Sequence, residues 1–494
     1  DGKREEAILV LETLVADAEP SDNRRRVQVL LARFLTSTGN EVGARAIVED
    51  VLTQDPSMVQ ALEMRASWLI EEDRADEAIS ALRQALDQEP EDVSAMTLMA
   101  QAHARNGNRA LAGELLALAA TTSNFAPDEA LRYASFLSAD EKFIQAEEML
   151  LNALRAAPRN TDVLTQLGQV YVNLQDWGRA EQVATSLRRS TDPAVVAAAD
   201  TLQLRILNGR QGAEQAMQFL EELAQADDGS AISANVALIR ARAAQGEFES
   251  ASRLVSQLIA ENPEILALAV LDAAVDAAAG DIPSAEQKYA AILERQPLAQ
   301  DVWLQLLRLQ TRTGRIPEAE ATLEKALAAI PGAPNLLWAK ASLLEREGNR
   351  VGALEVYEEL YERNTSSPIV ANNLASLMTQ LDQSAETVDR AYSVARRLRG
   401  SDVPAFQDTY GWISYLRGDY EEALSHLEGA AAGLANDPVV QMHLGLTLVA
   451  LDRPEEARAQ LEKAVDLAGA ERADLVTKAT EALAALDSAP ETTD

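Results

Sequence analysis

The chain has no cysteine and only three histidines, so it lacks the residues for several kinds of chemistry. Without cysteine there is no disulfide, no zinc–thiolate site and no thiol nucleophile. His103, His426 and His443 show neither HxxxH nor HExxH spacing, and glycine-rich phosphate loops are missing from the sequence. We therefore expect no metal, no cofactor and no catalytic site.

Basic residues are also scarce, with 44 Lys and Arg against 78 Asp and Glu and a net charge of −34. Such a surface repels nucleic acid and anionic lipid, and it either favours basic or neutral protein segments as ligands or serves solubility alone. The most apolar run, residues 265–280, contains Asp272 and Asp276 and fits no transmembrane helix. We expect protein partners, no nucleic acid and no membrane insertion by this segment.

What the chain does have is a repeat of about 34 residues, marked most clearly by alanine. Eight of the thirteen intervals between these alanines are 34 residues, and the others run from 32 to 38. The alanines of this ladder are Ala7, Ala44, Ala78, Ala112, Ala146, Ala180, Ala216, Ala251, Ala285, Ala319, Ala353, Ala391, Ala423 and Ala457. Glycine often stands five positions earlier and proline twelve positions later, where they end the two helices of a unit. The pattern predicts stacked helix pairs without an enclosed active site.

The unit resembles the tetratricopeptide repeat. One copy consists of Leu164, Leu167, Gly168, Tyr171 and Ala180, and another of Trp303, Leu306, Gly314, Ala319, Leu323, Ala326 and Pro331. The resemblance covers about residues 1–468 and implies an all-α, right-handed α-solenoid of roughly 12–13 helix pairs. It also implies a non-enzymatic protein that holds other proteins.

Irregular intervals divide the array into three predicted blocks that are expected to stack without a break. The predicted segments are 1–190, 191–364 and 365–468, a capping helix over 469–487 and a disordered tail over 488–494. The cap is expected because a solenoid must cover the exposed seam of its last repeat. Near the start of the third block, four extra residues and the basic run 396–400 interrupt the repeat.

By resemblance to the family, fixed positions of each first helix face the concave side, and in two units they carry a basic group. Its members are Arg308, Arg312, Trp338 and Arg346. Arg308 and Arg312 are one helical turn apart and share a face. Arginines beside an exposed tryptophan suit a carboxylate or an acidic peptide. The alternative is that these arginines pair with Glu345 or Glu347.

In the last two units the same positions carry an apolar strip. Its members are Trp412, Tyr415, Leu416, Met442, Leu446 and Val449. Such a strip resembles a groove for an amphipathic helix or an extended apolar peptide, and we expect it to be the principal protein-binding surface. The alternative is that the C-terminal helix folds back and covers the strip as a cap.

A second likeness concerns location. Residues 372–375, 408–412 and 417–419 are similar to the C-terminal repeats of large exported bacterial tetratricopeptide proteins, which act as envelope lipoproteins, protease adaptors or exopolysaccharide-assembly factors. The chain also opens in mid-repeat, so we expect upstream sequence such as a targeting signal or an anchor. These features predict a scaffold in the periplasm or on the periplasmic face of the outer membrane. The alternatives are a cytoplasmic adaptor and the helical receptor part of a larger enzyme or export machine.

Overall fold

The computed structural model describes residues 2–225, 230–469 and 472–488, and within these residues it contains helices and no strand. The first half comprises α1 (Gly2–Asp17), α2 (Asp22–Ser37), α3 (Glu41–Gln54), α4 (Val59–Glu71), α5 (Ala75–Gln88), α6 (Val93–Arg105), α7 (Arg109–Thr122), α8 (Pro127–Ala139), α9 (Phe143–Ala156), α10 (Thr161–Asn173), α11 (Trp177–Leu187), α12 (Pro193–Arg210), α13 (Ala213–Ala224) and α14 (Ser230–Ala244). The second half comprises α15 (Phe248–Glu261), α16 (Leu266–Ala279), α17 (Ile282–Arg295), α18 (Gln300–Arg312), α19 (Ile316–Ala329), α20 (Pro334–Arg346), α21 (Arg350–Arg363), α22 (Pro368–Leu381), α23 (Ala385–Ala395), α24 (Pro404–Arg417), α25 (Tyr420–Gly433), α26 (Pro438–Ala450), α27 (Pro454–Ala468) and α28 (Ala473–Ser488), with a short 3-10 helix, Arg396–Leu398, after α23.

The alanine ladder explains why the helices pack in pairs. Twelve of its fourteen members are at most 2% exposed, and they lie in the odd-numbered helices from α3 to α27. A side chain no larger than a methyl group lets two helix backbones approach closely, and these helices, apart from α21, pack against the even-numbered helix before them. Only Ala7 and Ala216 are half-buried. Twelve such pairs are in contact in the described residues, between α2–α3 and α26–α27, which confirms the predicted all-α array of helix pairs.

In most pairs, the turn between the two helices has a left-handed backbone at one residue. Glycine supplies it, with positive φ, at Gly39, Gly107, Gly246, Gly280, Gly314, Gly348 and Gly418. Four other repeats adopt the same conformation without glycine, at Asp73, Glu141, Gln175 and Asp452. A side chain at this position introduces strain that glycine avoids, so each of these four departs from what the glycine pattern predicts.

The helices form two compact units. One comprises Asp1–Thr122 and Tyr357–Asp494, and the other comprises Ser123–Val356. Inside each unit, most successive even-numbered helices contact one another directly, as α4 does α6 and α18 does α20, so these pairs stack along the chain. The block boundary expected near residue 190 lies inside the second unit, and the one near 364 lies close to Tyr357. The three blocks stay a prediction.

The last helix, α28, packs on both α26 and α27. Its Leu475 and Ala479 are buried against Leu461 and Ala464 of α27. This burial covers the apolar face of the final pair and confirms the predicted capping helix. Residues 489–494 of the predicted tail lie outside the described residues. Over the described ranges, no helix has both the length and the apolar character needed to cross a membrane.

Candidate functional site

Three even-numbered helices of the second unit, α16, α18 and α20, line a groove of about 880 Å³. Small side chains of α16, Ala274, Ala277 and Ala278, form one wall and leave room beside the longer residues opposite. The predicted basic group comes together here, since Arg308, Arg312, Trp338 and Arg346 all line this space. We call it the arginine groove.

Helical spacing places these side chains on the groove side of their helices. Arg308 and Arg312 are one turn apart on α18, and Trp338 and Arg346 are eight residues, or about two turns, apart on α20. Other faces of the two helices bury apolar side chains, including Val302 and Leu306 on α18 and Leu336 and Leu337 on α20. Burial of these faces fixes the helices in rotation, and the arginines are left exposed.

The lining of the groove is basic. It contains three arginines and a single carboxylate, that of Asp301. Within the described residues, no carboxylate lies at ion-pair distance from any of these arginines. Glu347, one of the two internal partners considered above, lies beside Glu320, and this contact raises the pKa of Glu320. The guanidinium groups are therefore available to a ligand.

Part of this arrangement has a purely structural explanation. Arg312 and Arg346 are the last residues of their helices, where the helix dipole favours a positive charge. Arg308 lies one turn earlier and gains less from the dipole, which acts mainly over the last turn. Helix stability thus accounts for two of the three arginines and not for their convergence on one groove.

The groove also has an aromatic component. Tyr289 is 2% exposed, and burial raises the pKa of its hydroxyl while the nearby charge of Arg312 opposes that shift. Trp338 is half-buried and lines the groove. The groove therefore combines guanidinium groups with an aromatic surface. Among the described residues, no three His, Asp or Glu side chains are grouped to hold a metal ion.

The predicted apolar strip is divided between two environments. Met442 is 7% exposed and packs with Leu475 and Ala479 of α28. Leu446 and Val449 pack against the same cluster. Over this half of the strip, α28 covers the apolar side chains, as the cap alternative predicts.

The other half of the strip is half-buried. The Trp412 ring stacks on Tyr415 at 4.9 Å between centroids and on His443 at 3.9 Å. Nδ1 of His443 is 2.9 Å from Oδ1 of Asp408, so the stacked imidazole is itself held in place. Leu416 is also half-buried. The role of these residues in partner binding stays a prediction.

One polar cluster was not predicted from the sequence. Asp73 of the N-terminal repeats contacts Tyr361, which is 288 residues further along the chain, and Arg397, which lies further still. The available signal was the four-residue insertion and the basic run 396–400, which mark the segment without identifying its partner.

A family model described as "Tetratricopeptide repeat" matches residues 69–132, 276–343 and 415–478. The chain therefore carries tetratricopeptide repeats in these stretches, which together make up less than half of its length. The second stretch includes Arg308, Arg312 and Trp338 and ends just before Arg346. No curated protein matches the chain.

Three solved structures are similar to the chain at low scores. The APC/C hetero-tetramer Cut9–Hcn1 has a TM-score of 0.37 at 14% identity, covering 97% of this chain and 94% of that chain. YrrB, described as a TPR protein with an unusual peptide-binding site, has a TM-score of 0.32 at 16% identity and coverages of 39% and 97%. Naa15/Naa10 bound to HypK-THB has a TM-score of 0.30 at 16% identity and coverages of 95% and 69%. Likeness at this level carries no information about ligands.

Proposed function

Because the chain carries tetratricopeptide repeats, we propose that it is a non-enzymatic scaffold for other proteins and that the arginine groove receives an acidic segment of a partner. The observation that carries this proposal is a basic groove in a protein with a net charge of −34. Elsewhere, arginines such as Arg45, Arg179 and Arg315 pair with carboxylates of the chain itself. Three exposed arginines sharing one groove are best explained by a carboxylate from outside the chain.

The side chains that line the groove determine which partner peptides it favours. A guanidinium group binds a carboxylate through two parallel hydrogen bonds, which gives both strength and orientation. Trp338 also lines the groove and is an aromatic residue of the kind that dominates many interfaces. The favoured ligand is therefore a peptide with acidic side chains or a free C-terminus near one aromatic or aliphatic residue.

The size of the groove limits the length of that peptide. Packed helices lie roughly 8–10 Å apart, so the span from α16 across α18 to α20 is about 16–20 Å. An extended chain advances at most about 3.3–3.6 Å per residue, so about five or six residues of ligand fit across the three helices.

Charge reversal tests this proposal. The probe is a short synthetic peptide rich in glutamate with one phenylalanine, and its partner is the full chain. In the Arg308→Glu, Arg312→Glu variant we expect affinity to fall by at least about tenfold for each arginine, because each charged hydrogen bond is replaced by repulsion. Helicity measured by circular dichroism should not change, since both side chains are exposed.

A matched control separates the groove from overall charge. Arg253 on α15 and Arg295 on α17 are exposed residues of the same unit that do not line the groove. The Arg253→Glu, Arg295→Glu variant has the same net charge as the groove variant and should bind the peptide nearly as well as the wild type. Equal affinity of the groove variant and the wild type would reduce the arginines to ordinary surface charge.

We also propose that the protein is located in the bacterial envelope and acts there as a protease adaptor or an exopolysaccharide-assembly factor. This location is supported by the likeness of residues 372–375, 408–412 and 417–419 to exported scaffolds. The alternatives are a cytoplasmic adaptor and the receptor part of a larger machine. Cell fractionation with an antibody against the chain distinguishes envelope from cytoplasm, and co-purification with a protease or a glycosyltransferase would favour the last alternative.

A further inference from the structure

Segment 361–400 of the first unit docks on two successive turns of the N-terminal repeats. One turn, between α4 and α5, has its left-handed residue at Asp73, and the other, between α6 and α7, has it at Gly107. Both turns belong to the same compact unit as the segment. The contact therefore joins parts of one unit that are far apart in sequence.

Asp73 is the centre of this contact. The hydroxyl of Tyr361 donates to its Oδ2 at 2.5 Å, and Nη2 of Arg397 forms an ion pair with its Oδ1 at 2.5 Å. The side chain of Arg397 is 3% exposed and lies over the Tyr361 ring, 5.2 Å from its centroid. Burial raises the pKa of Tyr361, so the hydroxyl keeps its proton and remains a donor.

Backbone groups of the α4–α5 turn take part as well. Thr365 Oγ1 donates to the backbone oxygen of Glu71 at 2.6 Å, and Arg396 donates to that of Asp73. Nη1 of Arg105 donates in turn to Thr365 Oγ1 at 2.8 Å. Carbonyl groups at the end of a helix have no partner within it, so the docked segment supplies donors that this turn needs.

The two segments also approach closely through glycine. A Cβ atom on Gly400 would lie 2.9 Å from the backbone oxygen of Gly107. A Cβ atom on Gly107 would lie 2.2 Å from the backbone oxygen of Arg396. Neither distance is compatible with a side chain, so both positions fit this contact only as glycine.

The closed contact carries a cost of its own. Nε of Arg396 and Nη1 of Arg397 are buried without a hydrogen-bond partner in the described part of the chain. Burial and the charge of Arg397 also lower the pKa of Arg105, which shows that like charges crowd one another here. Water would form hydrogen bonds with these donors if the segments separated. Burial of unpaired donors and repulsion between like charges therefore oppose the hydrogen bonds and the ion pair that hold the contact closed.

We propose that Asp73, Tyr361, Thr365, Arg396 and Arg397 form a releasable clasp between the N-terminal repeats and segment 361–400. The clasp gives a role to the basic run 396–400 that interrupts the repeat, because Arg396, Arg397 and Gly400 lie in the docked surface. It also explains why Asp73 occupies a turn position that glycine usually fills, since its side chain anchors the segment. While the clasp is closed, neither surface is available to another partner.

Asp73→Gly tests the clasp without disturbing its turn. Glycine adopts positive φ freely, so the turn is retained and only the carboxylate is lost. Measured by hydrogen exchange in the full chain, amides of 71–109 and 361–400 should both exchange at least about tenfold faster, as expected on loss of a buried charged hydrogen bond. Tyr361→Phe, which keeps the ring and removes the hydroxyl, should act on the same two segments more weakly.

Asp452→Gly is the matched control. Asp452 occupies the same left-handed turn position in a repeat outside the clasp, so this variant should leave both segments unchanged. Exchange in 361–400 that stays at the wild-type rate in Asp73→Gly would overturn the proposal. Protection that depends on protein concentration would place the contact between two copies and would also overturn it.

A distance measurement tests release directly. Because the chain has no cysteine, the Arg83→Cys, Glu386→Cys variant carries spin labels at these two exposed positions only. We expect one narrow distance in the otherwise wild-type chain and a broader, longer distribution when Asp73→Gly is added, because the carboxylate that anchors the segment is then lost. An unchanged narrow distance in the Asp73→Gly background would contradict a clasp anchored at Asp73.

Discussion

Glu63 is an acidic side chain buried within the first repeats. It is 6% exposed, its Oε1 has no hydrogen-bond partner among the described residues, and Arg33 lies 3.7 Å from its Oε2. Burial raises the pKa of Glu63, and a hydrogen bond with Ser94 is the largest opposing effect. The ionised carboxylate therefore weakens the folded state near neutral pH.

We expect Glu63→Gln to stabilise the protein at pH 7 by about 0.5–1.5 kcal/mol, because glutamine keeps the shape of the side chain without its charge. A raised folded-state pKa means that the folded protein holds this proton more tightly than the unfolded chain. The resulting stability is present below the unfolded pKa and is lost as the pH rises through the folded pKa. The gain from Glu63→Gln should therefore vanish below about pH 4, where both states of the wild type bind the proton. Thermal unfolding at the two pH values measures this, and a loss of stability at pH 7 would show that the pair with Arg33 outweighs the cost of burial.

At the level of the helix, packing in each pair depends on the small ladder residues. Ala180 on α11 is 0% exposed, so Ala180→Leu inserts a larger side chain where two helices touch. We expect a loss of about 1–3 kcal/mol from overpacking. Because repeats contact mainly their neighbours, hydrogen exchange should accelerate chiefly in residues 161–225. Uniform acceleration along the whole chain would contradict this nearest-neighbour behaviour.

The capping helix gives a second prediction at this level. Met442→Ala removes a buried side chain that packs against Leu475 and Ala479, so we expect a loss of about 2–5 kcal/mol in the last pair. Limited proteolysis should then cut α28 first. Trp412→Ala, at a half-buried position, should leave α28 protected. If Met442→Ala instead leaves α28 resistant and weakens capture of a protein partner, this half of the strip is a binding surface and not part of the cap.

The elements that sequence reasoning predicted are those set by local rules. Alanine at a fixed period marks helix contacts because a larger residue does not fit, and Arg308 and Arg312 share a face because of helical spacing. The left-handed conformation of Asp73 was not predicted, because glycine is favoured at this turn position without being obligatory. The clasp was not predictable because it depends on the tertiary approach of two distant segments. The sequence does not decide whether Met442 lies in an open groove or under the capping helix, because its position on α26 is the same in both arrangements.

The whole molecule is strongly acidic, and its arginines lie in different settings in the two units. In the first unit, Arg396 and Arg397 are used internally by the clasp. In the second unit, Arg308, Arg312 and Arg346 line a groove and have no carboxylate at ion-pair distance among the described residues. This difference in pairing, more than the number of arginines, distinguishes a structural contact from a candidate binding site.

Fluorine NMR of the chain labelled with 5-fluorotryptophan tests the arginine groove most directly. The five tryptophans provide separate reporters, with Trp338 in the groove and Trp412 in the C-terminal strip. On titration with the glutamate-rich peptide, the Trp338 signal, assigned with Trp338→Phe, should shift and saturate while the Trp412 signal stays in place. A peptide with glutamine for every glutamate, or the Arg308→Glu, Arg312→Glu variant, should abolish the shift. A titration that moves Trp412 and leaves Trp338 unchanged would contradict the arginine groove as the binding site.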